Sequence, residues 1–170
     1  MQAQLRLDDA SEQTYIEDLV DAATAYAEKA MDASLLTRTM TVTVWQRSPI
    51  SLWTDYRLHA QIFLPRGPVQ SITSVVDANA VNITNYTFER IGFTDQIIIN
   101  QAYVSPVVVT YVAGYGTTAA AIDADIRLAI RTHVASLWRV REHVTDRELL
   151  PCPDSLQAFY ALNRRTAPVA

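Results

Sequence analysis

Between Ser11 and Met31 apolar residues recur every three or four positions, so that Tyr15, Ile16, Leu19, Val20, Ala23, Tyr26, Ala27, Ala30 and Met31 form one stripe. That period predicts an amphipathic helix over about 11–32. Ser11 or Asp9 is placed to cap its first amides, and Glu12, Glu17 and Asp18 lie near the end where the helix dipole favours anions. Past Ser34 the period falls to two, with Met40, Val42 and Val44 alternating against Thr39, Thr41 and Thr43, which predicts a half-buried strand. Further strand-like runs lie at Gln61–Leu64, Ser71–Asp77, Tyr86–Arg90, Ile97–Asn100 and Pro106–Val112, divided by residues such as Pro65, Gly67, Pro68, Asn79, Asn82, Gly92 and Ser105. The region from about 39 to 113 therefore reads as a small, mostly antiparallel sheet with hairpins.

Helical spacing returns over about 123–143, opened by Asp123 and carried by Ile126, Ala129, Ile130, His133, Val134, Leu137 and Trp138. Pro151 and Pro153 bar any helical continuation, and Asp154 is placed to cap a last helix over about 154–165 with Leu156, Phe159, Tyr160 and Leu162 on its apolar side. The tail 166–170 has no period and is expected to be flexible. The order α, many β, α, α predicts an α+β fold in one domain, 1–170, whose two C-terminal helices pack as a small helical bundle.

Of the 170 residues, 49% are apolar and 19% charged, a globular balance long enough to bury a core without staples. The single cysteine, Cys152, excludes an intramolecular disulfide framework and any multi-cysteine zinc site, and fits assembly in a reducing cytosol. A net charge of -4 lacks the diffuse basic excess of a protein whose main partner is nucleic acid. Asp8, Asp9 and Glu12 interrupt the pattern of a secretory signal. The uncharged stretch Gln96 to Ile122 is broken by Asn100, Gln101, Pro106, Gly114 and Gly116, so it reads as strands, and no membrane partner is expected.

Catalysis needs convergent titratable groups. The best nucleophile set joins Cys152 to His133 or His143 and Asp146, but Cys152 lies between two prolines, away from a helix N-terminus that would lower its pKa. His133 sits on an apolar stripe, where a hydrogen-bonded, half-buried histidine is the simpler reading, and His59 has no ligand partner at metal spacing. Asp8 with Asp9, and Asp123 with Asp125, stand at helix starts, where capping accounts for them. The four glycines, at 67, 92, 114 and 116, build neither a phosphate loop nor a dinucleotide fingerprint. The Gly114-Tyr115-Gly116 run has no spanning helices to frame an ion filter and reads as a strand-ending turn. No catalytic, cofactor-binding or metal-binding residue is expected.

Charge placement is more informative. Residues 1–34 hold eight acidic and two basic side chains, whereas 126–165 hold seven arginines and four acids. Thirteen of the 14 basic residues are arginine, the side chain suited to bridging carboxylates across interfaces. Asp18 and Asp21 on the first helix, with Arg127 and Arg131 four apart on the second, make a candidate subunit interface of head-to-tail type, which closes into a ring where the rotation fits. Solvated faces of a monomer are the alternative reading of the same charges.

The order of short motifs resembles the head-tail connector, or adaptor, family of long-tailed phages, prophages and gene transfer agents. Tyr26-Ala27-Glu28 ends the acidic helix and Leu36-Thr37-Arg38 forms the following turn. Leu64-Pro65-Arg66-Gly67-Pro68 leads into Val69-Gln70-Ser71-Ile72-Thr73-Ser74-Val75, and Val107–Val112 leads into Ala113-Gly114-Tyr115-Gly116. Arg141-Glu142 ends the next helix, and Leu150-Pro151 opens the closing segment to Arg164. The aromatic stretch Trp45 to Tyr56 has no counterpart in the family pattern, and the turn after Gly116 lacks the family's usual proline.

The resemblance implies a structural, non-enzymatic virion protein of the neck, made in the host cytoplasm. It would form a ring, dodecameric to match the portal, beneath the portal protein after DNA packaging, and offer a platform to a stopper or tail-terminator protein. DNA would pass the channel without sequence-specific binding. Trp53, Tyr56, Arg164 and Arg165 are candidate docking residues, and the tail from Asn163 to Ala170 is expected to order on docking. The alternatives are another neck component, a stopper or tail-completion protein, or else a small cytosolic enzyme.

Overall fold

The predicted N-terminal stripe becomes α1 (Gln13–Met31), whose buried residues Ile16, Ala23, Ala27 and Met31 follow the helical period. In this computed structural model the described residues are 13–45, 60–139 and 152–165. The remaining elements are β1 (Arg38–Val44), β2 (Ala60–Leu64), β3 (Val69–Val76), β4 (Tyr86–Ile91), β5 (Thr94–Ile99), β6 (Val107–Ala113), a 3₁₀ turn (Ala119–Ala121), α2 (Ala124–Arg139) and α3 (Asp154–Leu162). The fold is α+β, with an N-terminal helix, antiparallel sheets and two C-terminal helices. Within the described residues two compact units are found, a helical unit of 13–31, 118–139 and 152–164 and a sheet unit of 32–45, 60–117 and 165.

In the helical unit α1 packs on α2 and α3. Small Ala23 and Ala27, both fully buried, let the helices approach, while Ile126, Ala129, Ile130, Val134 and Leu156 fill the space between. His133 is buried, not half-buried, and lies edge-on to Tyr26 at 5.1 Å with Tyr160 at 6.2 Å. Asp154 does not cap α3: it is the first helical residue, Pro153 is the N-cap, and the Pro153 carbonyl receives the amides of Leu156 and Gln157. The helix stops at Leu162, three residues earlier than expected; Asn163 is its C-cap, with its amide and side chain both donating to the Phe159 carbonyl. Leu162, expected on the apolar side, is 81% exposed.

In the sheet unit the expected single sheet is two three-stranded antiparallel sheets, β1-β6-β3 and β2-β5-β4. The long apolar β6 takes β1 and β3 as neighbours, which leaves the β4/β5 hairpin to pair with β2. Inward residues of both sheets, among them Ile62, Ile97, Ile99, Val107, Val109 and Tyr111, form one core on which Met40, Val42 and Val44 pack. Burying each such aliphatic side chain contributes about 1.5–3 kcal/mol.

Candidate interface and docking sites

Three of the sequence motifs meet at one end of the sheet β1-β6-β3, where Arg38 and Val69 both stand opposite Ala113. The Ser34 amide donates to the Arg66 and Gly67 carbonyls, the Gly114 amide to Pro68, and the Thr37 amide to Gly116. Gln70 adds side-chain bonds to Thr37 Oγ1 at 2.9 Å and to the Gly114 carbonyl at 2.7 Å. The Leu-Thr-Arg turn, the Pro-Arg-Gly-Pro entry and the Ala-Gly-Tyr-Gly turn are therefore one hydrogen-bonded structure that satisfies backbone groups beyond the ladders.

Beside it lies Asp95, whose side chain is fully buried. Its Oδ2 accepts the Val69 amide at 2.8 Å, and its Oδ1 accepts Arg90 Nε. Arg165 Nη1 stands 3.5 Å from Oδ2, with the rings of Phe93 and Tyr115 each 5.9 Å from its guanidinium carbon. Gly67 makes room for this arrangement, since a Cβ there would meet Asp95 Oδ2 at 2.5 Å. Sequence reading began the strand at Ile97 and so missed Asp95. The period of two, carried back from Ile99 and Ile97, places it on the inward face.

Tyr111 crosses the same core and donates its hydroxyl to the Pro65 carbonyl. Burial pushes its pKa up to about 12, helped by the carboxylates of Asp32 and Asp95 and opposed by Arg66. Asp77 organises the loop after β3: its Oδ1 accepts the amides of Asn79 and Val81 and its Oδ2 that of Val104. The Val81 amide, then those of Val104 and Asn79, hold its carboxyl below the usual range against the effect of burial.

Asp18 and Asp21 are exposed on α1, opposite its buried stripe, and Arg131 is exposed on α2 with Arg127 half-buried one turn before it. Among the described residues no ion pair joins the two aspartates to the two arginines. Trp53 and Tyr56 lie outside the described residues, as do His59, His143, Asp146 and the tail 166–170. Arg164 is exposed just beyond α3, whereas Arg165 is engaged at Asp95. Cys152 is buried, and burial pushes its thiol up, with Tyr26 pulling the other way; such a thiol is a poor nucleophile. Among the described residues no group of three or more His, Cys, Asp or Glu side chains is arranged to hold a metal, and no helix is long and apolar enough to cross a membrane.

No family model matches the chain, and no curated protein matches it. Solved structures do. A chain from the neck of an empty gene transfer agent (GTA) particle, computed with C6 symmetry, is 18% identical and superposes with a TM-score of 0.70, covering 99% of this chain and 88% of that one. A chain from the virion of a native GTA particle is 19% identical, with a TM-score of 0.69 and coverage of 97% and 87%. A chain from the neck of a native GTA particle, computed with C12 symmetry, is 19% identical, with a TM-score of 0.64 and coverage of 99% and 90%. Over nearly its whole length the chain shares the fold of these proteins.

Proposed function

We propose that this chain is a structural subunit of a phage-like virion neck, a head-tail adaptor that assembles as a ring against the portal protein and presents its other side to a stopper or tail-terminator. The observation that carries this reading is the whole-length likeness to chains of GTA particles, two of them from necks computed with C6 and C12 symmetry. The motif order in the sequence supports the same family. Ring formation needs a heterologous interface. The acidic outer face of α1 and the Arg127/Arg131 face of α2 provide one of opposite sign, and among the described residues no ion pair joins them to each other inside the chain. The work is done by shape and adhesion, without a chemical step. DNA passes through the ring without sequence-specific contacts, in keeping with the net charge of -4.

Native mass measurement of the purified protein, alone and with isolated portal rings, tests this. Stoichiometric, ring-symmetric binding to the portal is the expected result. Electron microscopy of finished particles then places the subunit: direct contact with the portal is expected, a position only beneath another ring would make it a stopper, and absence from the neck would overturn the reading altogether.

A further inference from the structure

Two arginines reach Asp95, and they are held differently. Arg90 stands opposite Asp95 in the β4/β5 register, with Nε on Oδ1 and Nη2 on the Val69 carbonyl at 2.7 Å. Together with the Val69 amide on Oδ2, this gives both carboxylate oxygens a partner and the buried charge a counter-charge without Arg165. Arg165 makes only long contacts, 3.5 Å to Asp95 Oδ2 and 3.4 Å to the Phe93 carbonyl, and its buried Nε has no hydrogen-bond partner among the described residues. Those distances are at the outer limit of useful hydrogen bonding. What seats the guanidinium is its place over the rings of Phe93 and Tyr115. Breaking a buried ion pair is costly when it strands a charge. Withdrawing Arg165 strands none, because Arg90 stays. A cleft of about 260 Å³, lined in part by Phe63, Pro65, Phe93 and Thr94, opens beside the pair.

We infer that Asp95, Phe93 and Tyr115 form an exchangeable guanidinium site, filled in the lone chain by Arg165, which fastens the C-terminal segment to the sheet unit until a stronger contact draws it away. An arginine is the fitting occupant because a flat fork meets the buried carboxylate and the aromatic walls at once, whereas an ammonium keeps the charge and loses the planar packing. The inference goes beyond the adaptor reading and its test needs no ring, so either can fail alone.

The test uses full-length protein carrying Arg165→Ala, which empties the site, and an unlabelled peptide of residues 163–170, with the amide signals of Val69, Phe93, Asp95 and Tyr115 followed as peptide is added. Saturating shifts are expected at these residues. The unsubstituted protein, whose site is filled, should need about tenfold more peptide, and peptide with Arg165→Ala should bind about tenfold more weakly, while Arg164→Ala in the peptide changes little. Equal binding with and without the arginine, equal binding to both proteins, or no binding overturns the inference. Carboxypeptidase trimming of the intact chain is the second measurement: Arg165→Ala should speed it by about fivefold and Arg164→Ala should not, and equal rates overturn the fastening. Should Arg165→Ala not fold, Arg165→Lys carries the same comparisons.

Discussion

Gly114 lies so close to Leu36 that a Cβ at this position would stand 2.6 Å from the Leu36 carbonyl carbon, and its φ is +134°. Both the space and the backbone conformation require glycine. Gly114→Ala is therefore expected to destabilise the sheet unit by about 3 kcal/mol or more, since strain and overpacking each cost roughly 1–3 kcal/mol. Gly92 is the control. It has φ +60° but nothing within 4 Å of its virtual Cβ, so Gly92→Ala should cost only about 1–2 kcal/mol. Urea denaturation of the two variants separates the effects, and equal losses would refute the close approach as the cause.

Tyr111 is predicted to make stability fall at alkaline pH. An ordinary tyrosine titrates near 10, and this one is held up to about 12. The unfolded chain gives up its proton first, so the contribution is complete below about pH 10 and is lost as pH rises toward 12. Tyr111→Phe removes the donor to Pro65 and should cost about 1 kcal/mol at neutral pH. Its stability should also decline less steeply above pH 10. Some decline remains, because burial raises Tyr160 as well. Denaturation midpoints measured from pH 7 to 11 check both statements.

The sequence made one kind of feature plain and hid another. Alternation of Met40, Val42 and Val44 with threonines revealed β1 because one face is apolar and the other wet. The stripes of α1 and α2 were visible for the same reason. Strand partnership was hidden, since no local signal tells β6 to pair with β1 and β3 in place of β5. Asp95 was hidden too, because its role depends on Arg90, Val69 and Arg165, which lie 5, 26 and 70 positions away. At the α3 N-terminus, Asp154 looked like a cap by residue type, but the proline before it occupies that position. Of the residues proposed for the interface, the structure leaves Asp18, Asp21 and Arg131 exposed and Arg127 half-buried, a difference that helical spacing alone does not reveal.

Asp77 gives an acid counterpart to Tyr111. Amides from Val81, Val104 and Asn79 favour its charged form, so its folded pKa lies below the unfolded value. The stabilisation is complete above the ordinary carboxylate pKa of about 4 and disappears as pH falls through the lower folded value. Asp77→Asn should be less stable than the parent at pH 7, with the gap narrowing below about pH 4. A gap that stays constant from pH 7 to 3 would show that the carboxylate charge does not matter to this loop.

The interface prediction concerns four exposed or half-exposed side chains. Replacing Arg127 and Arg131 by Glu puts like charges against the acidic face of α1 on a neighbouring copy. Reversal of the exposed Arg131 should change fold stability by no more than about 0.5 kcal/mol. Arg127 is half-buried with its Nε out of solvent, so its reversal adds a folding cost that denaturation of the isolated protein measures. The doubly reversed protein should remain folded and monomeric and fail to form a ring on isolated portals. Adding Asp18→Arg and Asp21→Arg to the same chain restores opposite signs and should restore assembly. Either single reversal set should be the more defective at low salt, where screening is weakest. Rescue is the decisive arm, because a helix damaged by substitution would not be repaired by a second pair on another helix. Particles that carry only the reversed arginines and still join tails normally would show that these faces do not meet.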